Sequence, residues 1–130
     1  GETMDVDDLR LPGDQEALVA AVAAANPRTV VVTASANPVV APWREQVAGI
    51  VHVWQPGERF GPALAAIVSG AAEPGGRLPV TMPDSVESIP IAETTDEARL
   101  EYTEGTLVGY RGYEAAGVEP AYWFGHGLGY

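Results

Sequence analysis

Residues 48–83, AGIVHVWQPGERFGPALAAIVSGAAEPGGRLPVTMP, decide the fold. The short apolar run Ile50 to Trp54 predicts a buried strand of roughly five residues. A turn bounded by Pro56 and Gly61 follows, and then a helix that starts at Pro62, a residue favoured at the first helical position. Leu64, Ile67 and Val68 share one face of that helix, which stops at Ser69-Gly70. A strand, a glycine turn and an alanine-rich helix make half a βαβ unit.

The upstream sequence repeats the alternation. Thr29 to Thr33, TVVVT, is the uninterrupted β-branched run expected of a parallel strand in a sheet interior. Ahead of it, Asp14 is placed as a helix N-cap, with Glu16 in the first turn to complement the macrodipole. Leu18, Val22 and Ala25 recur at helical spacing, and Asn26-Pro27 ends the helix. Residues 43–47 suit a single helical turn. The fold class expected is therefore α/β: a layered, mostly parallel sheet with flanking helices. Downstream, residues 84–101 read as a polar, acidic surface excursion, Leu107 to Tyr113 as a weakly alternating edge strand, and the aromatic tail Ala121 to Tyr130 as irregular packed structure.

Composition narrows the function. The 130 residues suffice for one domain. Eighteen acids against seven bases leave a net charge of −11, which would repel nucleic-acid phosphates and an anionic membrane surface alike. No apolar run reaches the roughly 18 residues of a membrane span. The absence of cysteine excludes disulfides and thiolate metal sites and leaves the compartment open. His52 and His126 are far apart and lack an i, i+4 pairing, so no metal is expected and packing roles suit both. The turn Gly57 to Gly61 lacks the G-K-[ST] ending of a phosphate loop.

Four ordered stretches carry a resemblance. They are W-x-P-G-x-x-x-G at Trp54 to Gly61, G-R-L-P-V-T-M-P at Gly76 to Pro83, Tyr102 with Glu104-Gly105 and Val108 to Arg111, and PAYWFGHGLGY at Pro120 to Tyr130. Together with Ala36 to Trp43, they resemble the second, α/β-sandwich domain of the family-three glycoside hydrolases, the β-glucosidase group. The resemblance implies that residues 1–130 form the carboxy-terminal portion of that domain, an incomplete α/β sandwich. It also implies retaining, exo-acting hydrolysis of a β-linked sugar without cofactor or metal. The nucleophilic aspartate then belongs to a (β/α)8 barrel that this chain does not contain. The expected partners are that barrel portion of the same enzyme, as a separate chain or fragment, and a glycoside substrate.

In many relatives the acid/base glutamate lies in a segment E-G-x-D-R-x-x-L-x-L-P-G. Asp5, Leu9, Leu11, Pro12 and Gly13 match it without a gap, which nominates Glu2 as the catalytic acid/base. Thr3 and Val6 stand where the pattern has glycine and arginine, so an exposed terminal acid is the other reading of Glu2. Asp5 suits a loop-structuring role. Glu58 and Arg59 lie on the strand-to-helix turn, at the carboxyl end of a strand where α/β sheets bind ligands, and are candidate sugar contacts beside a plain exposed-turn reading. Trp123 is the tryptophan best placed to stack on a sugar. Glu104 and Arg111 stand at the entrance to a sugar site in one reading and form an ion pair or a barrel contact in the other. Two other readings stay open: a non-catalytic scaffold or binding subunit of the same fold, and an independent small α/β domain of flavodoxin-like appearance with another ligand.

Overall fold

The computed structural model describes residues 8–90 and 102–130. It divides into two compact units, one running to Gly75 with residues 128–130, the other spanning Gly76–Gly127. The first unit carries α1 (Gln15–Ala25), β1 (Val30–Thr33), β2 (Gly49–His52) and α2 (Phe60–Val68). β1 and β2 are parallel, pairing Val30 with Gly49 through to Thr33 with His52. Ala48 donates to the Thr29 carbonyl at 2.8 Å and Val53 to the Thr33 carbonyl at 2.9 Å, extending the ladder past both ends. This is an α/β fold with a small parallel sheet.

Two local expectations are corrected here, and a third, Asp14 as N-cap, holds in position only. β2 ends at His52 rather than Trp54, because Trp54 sits at φ +52°, a left-handed conformation that no strand residue adopts. Helix α2 begins at Phe60, with Pro62 third in its first turn. Proline is tolerated there because first-turn N–H groups have no acceptor within the helix. Asp14 occupies the N-cap of α1 but makes no side-chain capping bond.

The packed face of α1 differs from the one its large side chains suggest. Glu16, Val19, Ala20 and Ala23 are the more covered residues, an i, i+3, i+4, i+7 stripe. Leu18, 63% exposed, and Val22, 45% exposed, point the other way. On β1, Val30 and Val32 are likewise exposed, although parallel strands are normally covered on both faces. The best-buried residues of this unit are Trp43 and Val40, which precede a 3₁₀ turn at Arg44–Gln46.

In the second unit, Leu78–Met82 pairs with the tail. Met82 and Tyr122 form an antiparallel bridge, Leu78 donates to the His126 carbonyl at 2.8 Å, and Gly125 donates to the Leu78 carbonyl at 2.8 Å. A 3₁₀ turn, Val86–Ser88, is closed by a capping box with Ser85. The edge strand expected over Leu107 to Tyr113 is instead the start of α3 (Tyr110–Ala116). Gly109 at φ +56° turns the chain into it, and Gly117 at φ +65° ends it, with Val118 donating to the Tyr113 carbonyl. Buried Gly112 lets the Leu107 carbonyl approach the helix closely: a Cβ there would lie 2.6 Å from that oxygen.

Candidate functional site

The carboxyl ends of β1 and β2 gather the polar chemistry of the first unit. Thr33 and His52, the last residues of the two strands, share a hydrogen bond of 2.7 Å between Oγ1 and Nδ1. The His52 ring meets Trp54 edge-on, with centroids 4.3 Å apart. Its other nitrogen, Nε2, is buried without a partner among the described residues. Burial pushes the His52 pKa below its ordinary 6.5, because a desolvated imidazolium is disfavoured. Such a neutral ring can hold or pass one proton. The amino-acid sequence by itself suggests only a packing role for His52. The missing signal is register, which brings the terminal threonine and histidine of two separate strands side by side.

Beyond Trp54 the turn leads to Glu58 and Arg59, both exposed. They stand at the rim of an open groove of about 540 Å³ between β2 and α2. Val51, Val53, Phe60, Ala63, Leu64 and Ile67 line its floor. A floor of that kind suits an apolar side chain better than a sugar, so the polar contacts available to a glycoside here are the rim residues themselves. Phe60 donates to the Gly57 carbonyl at 3.1 Å, which shapes the turn and seats Arg59 at the N-cap of α2.

Trp123 belongs to the second unit and is half-buried. Its indole N–H donates to Glu119 Oε1 at 3.0 Å, and its ring lies edge-on to Tyr113, with centroids 6.3 Å apart. His126 packs against Tyr122 at 4.9 Å. Glu104 and Arg111 do not pair with each other; the ion pair found among the described residues is Arg44–Glu45, at 3.5 Å. No group of three or more potential metal ligands occurs among the described residues. Glu2 and Asp5 lie outside the described residues.

The segment leading from Glu2 is described from Asp8 onward. Asp8 Oδ1 accepts from the Arg10 N–H at 2.8 Å, and the Leu9 carbonyl accepts from the Val40 N–H at 2.8 Å. Residues 8–10 are therefore fastened both to themselves and to the best-buried loop of the unit.

All 130 residues match the glycosyl hydrolase family 3 C-terminal domain. A β-glucosidase of Rhizobium radiobacter is 40% identical over 135 residues, covering 99% of this chain and 16% of that protein. The crystal structure of a β-glucosidase from Kluyveromyces marxianus in complex with glucose superposes with a TM-score of 0.91 at 37% identity, over 97% of this chain and 15% of that one. A β-glucosidase from Streptomyces venezuelae in complex with D-glucose gives 0.91 at 35% identity, over 99% and 17%. The chain thus spans about a sixth of the length of the relatives it matches. With the whole length matched and the fold shared, the chain belongs to glycosyl hydrolase family 3, as its C-terminal domain.

Proposed function

We propose that residues 1–130 are the carboxy-terminal portion of the α/β-sandwich domain of a retaining, exo-acting β-glycosidase. In this reading the chain contributes the acid/base loop and one wall of the cleft. The observation that carries it is the full-length family match, to β-glucosidases in which the matched region is about a sixth of a longer chain. The exposed Leu18, Val22, Val30 and Val32 support the same view, since a two-stranded parallel sheet is too small to stand alone. The rest of the sheet, and a (β/α)8 barrel with its nucleophilic aspartate, belong to the remainder of the enzyme.

Glycoside hydrolysis with retention needs two carboxyl groups about 5–5.5 Å apart. The barrel aspartate attacks the anomeric carbon while Glu2, protonated, gives its proton to the departing oxygen. Glu2 then takes a proton from the water that releases the sugar. Glu58 and Arg59 at the groove rim, and Trp123 by stacking, are the proposed sugar contacts.

The test is Glu2→Gln in the full-length enzyme. Turnover of phenyl β-glucoside, whose leaving group needs protonation, is expected to fall about 10²- to 10⁴-fold. Turnover of 2,4-dinitrophenyl β-glucoside is expected to fall far less in its first step, and azide is expected to restore the second. Unchanged turnover of both substrates would sink the acid/base assignment. No turnover of either substrate by the unsubstituted enzyme would instead favour the scaffold reading, with which the departures at Thr3 and Val6 are consistent.

A further inference from the structure

We infer that Trp54 is a positioning residue for the groove rim: its left-handed backbone, clamped by the His52 ring, sets where Glu58 and Arg59 stand. The inference rests on the proposed role of those two side chains as sugar contacts and deepens it.

Among the described residues, Trp54 is the one residue other than glycine with a positive φ. A bulky side chain in that conformation is costly, and it persists only where the surrounding structure holds it. Glycine would take the same angle freely. What tryptophan adds is its ring, which the His52 ring meets edge-on with centroids 4.3 Å apart. His52 is itself tied across the sheet, since its Nδ1 lies 2.7 Å from Thr33 Oγ1 on β1. The clamp therefore runs from one strand through the other to the turn.

Alternation puts His52 on the opposite side of β2 from Val51 and Val53, which line the groove. The ring contact keeps Trp54 on the His52 side. The Val53 N–H makes the last ladder bond, 2.9 Å to the Thr33 carbonyl. Trp54 is thus the joint at which the chain leaves the sheet and turns toward the groove. Beyond it the turn is stiff. Pro56 fixes its own φ and confines Gln55 to extended conformations, and Phe60 donates to the Gly57 carbonyl at 3.1 Å. Gln55 to Arg59 are all exposed, so packing does little to hold them. The far end of the turn is fixed by α2, whose first residue is Phe60, which leaves Trp54 to set its course.

The experiment measures Trp54→Gly and Trp54→Phe in the full-length enzyme, with Glu58→Ala and Arg59→Ala alongside. Kinetics on phenyl β-glucoside and hydrogen exchange of the peptide spanning residues 54–60 are the readouts. Trp54→Gly keeps the backbone angle accessible but removes the clamp. It is expected to raise KM about tenfold, to change kcat less than about twofold, and to speed exchange across the turn. Trp54→Phe, which restores a ring, is expected to hold KM within about threefold and exchange near its original rate. Unchanged KM and exchange in Trp54→Gly overturn the inference, as do equal losses in the glycine and phenylalanine variants. If exchange speeds but KM holds, and Glu58→Ala and Arg59→Ala also leave KM unaltered, the sugar-contact reading fails and the positioning stands. If Glu58→Ala or Arg59→Ala raises KM while Trp54→Gly does not, the positioning fails and the contacts stand. Should Trp54→Gly fail to fold, His52→Gln, which keeps a partner for Thr33 and removes the ring, decides the matter by the same comparison.

Discussion

Thr33 and His52 end adjacent parallel strands with their side chains 2.7 Å apart, and that bond ties the sheet to an ionisation. Burial lowers the His52 pKa in the folded chain, so between that value and about 6.5 the unfolded state binds more protons. Stability must then rise with pH through this window. The contribution is fully present above about 6.5 and is lost as pH falls toward the folded value. Denaturant midpoints measured from pH 8 to 5 are expected to decline, and His52→Gln is expected to flatten the decline. A wild-type slope that survives the substitution would assign the effect to another group.

The Trp123 indole is open to two roles, and they separate by readout. Trp123→Phe removes the donor to Glu119 while keeping an aromatic ring beside Tyr113. A loss of about 1 kcal/mol in stability is expected from the hydrogen bond. If the ring also stacks on sugar, KM for a glucoside rises more in Trp123→Ala than in Trp123→Phe. Equal KM values in the two variants confine Trp123 to a structural role.

Leu18 and Val22 should behave differently in two contexts. In the 130-residue chain alone they are exposed, so changing both to glutamine is expected to alter stability by less than about 0.5 kcal/mol per site. In the full-length enzyme, where the rest of the domain is proposed to cover them, the same changes should cost about 2 kcal/mol or more. Thermal unfolding of both forms checks the contrast. Similar small shifts in each would mean that nothing covers this face of α1.

Gly112→Ala introduces a Cβ 2.6 Å from the Leu107 carbonyl, a backbone atom that cannot swing aside. We expect a loss of about 1–3 kcal/mol, the range of overpacking in a fitted core. Gly57→Ala, where a Cβ meets nothing within 4 Å, is the control. A neutral Gly112→Ala would show that α3 shifts freely on its support.

Much of the first unit is legible in the sequence because its signals are local. The β-branched runs mark β1 and most of β2, and the proline–glycine turn marks the start of α2 within two residues. The face of α1 is not legible. QEALVAAVAAA is apolar almost all round, so the choice between the Leu18 stripe and the Ala23 stripe depends on what lies alongside. Nor is α3, where weak alternation conceals a helix defined by two left-handed glycines and one close carbonyl. The rim position of Glu58 and Arg59 follows from the strand–turn–helix order alone. The Thr33–His52 pair cannot be anticipated, since it exists only once two strands nineteen residues apart have found their register.

The pairing of Leu78 with Gly125 and His126 has a topological meaning as well. It closes the second unit at its neck: Gly76 and Gly127, its first and last residues, approach so closely that a Cβ on Gly127 would strike the Gly76 carbonyl. A segment whose two ends meet behaves like an insertion on a clasp. Length can be added or removed inside it without displacing the points where it joins the chain, and closing a longer loop costs little extra entropy. A change of length inside the segment is therefore expected to leave the Leu78 pairing with Gly125 and His126 in place.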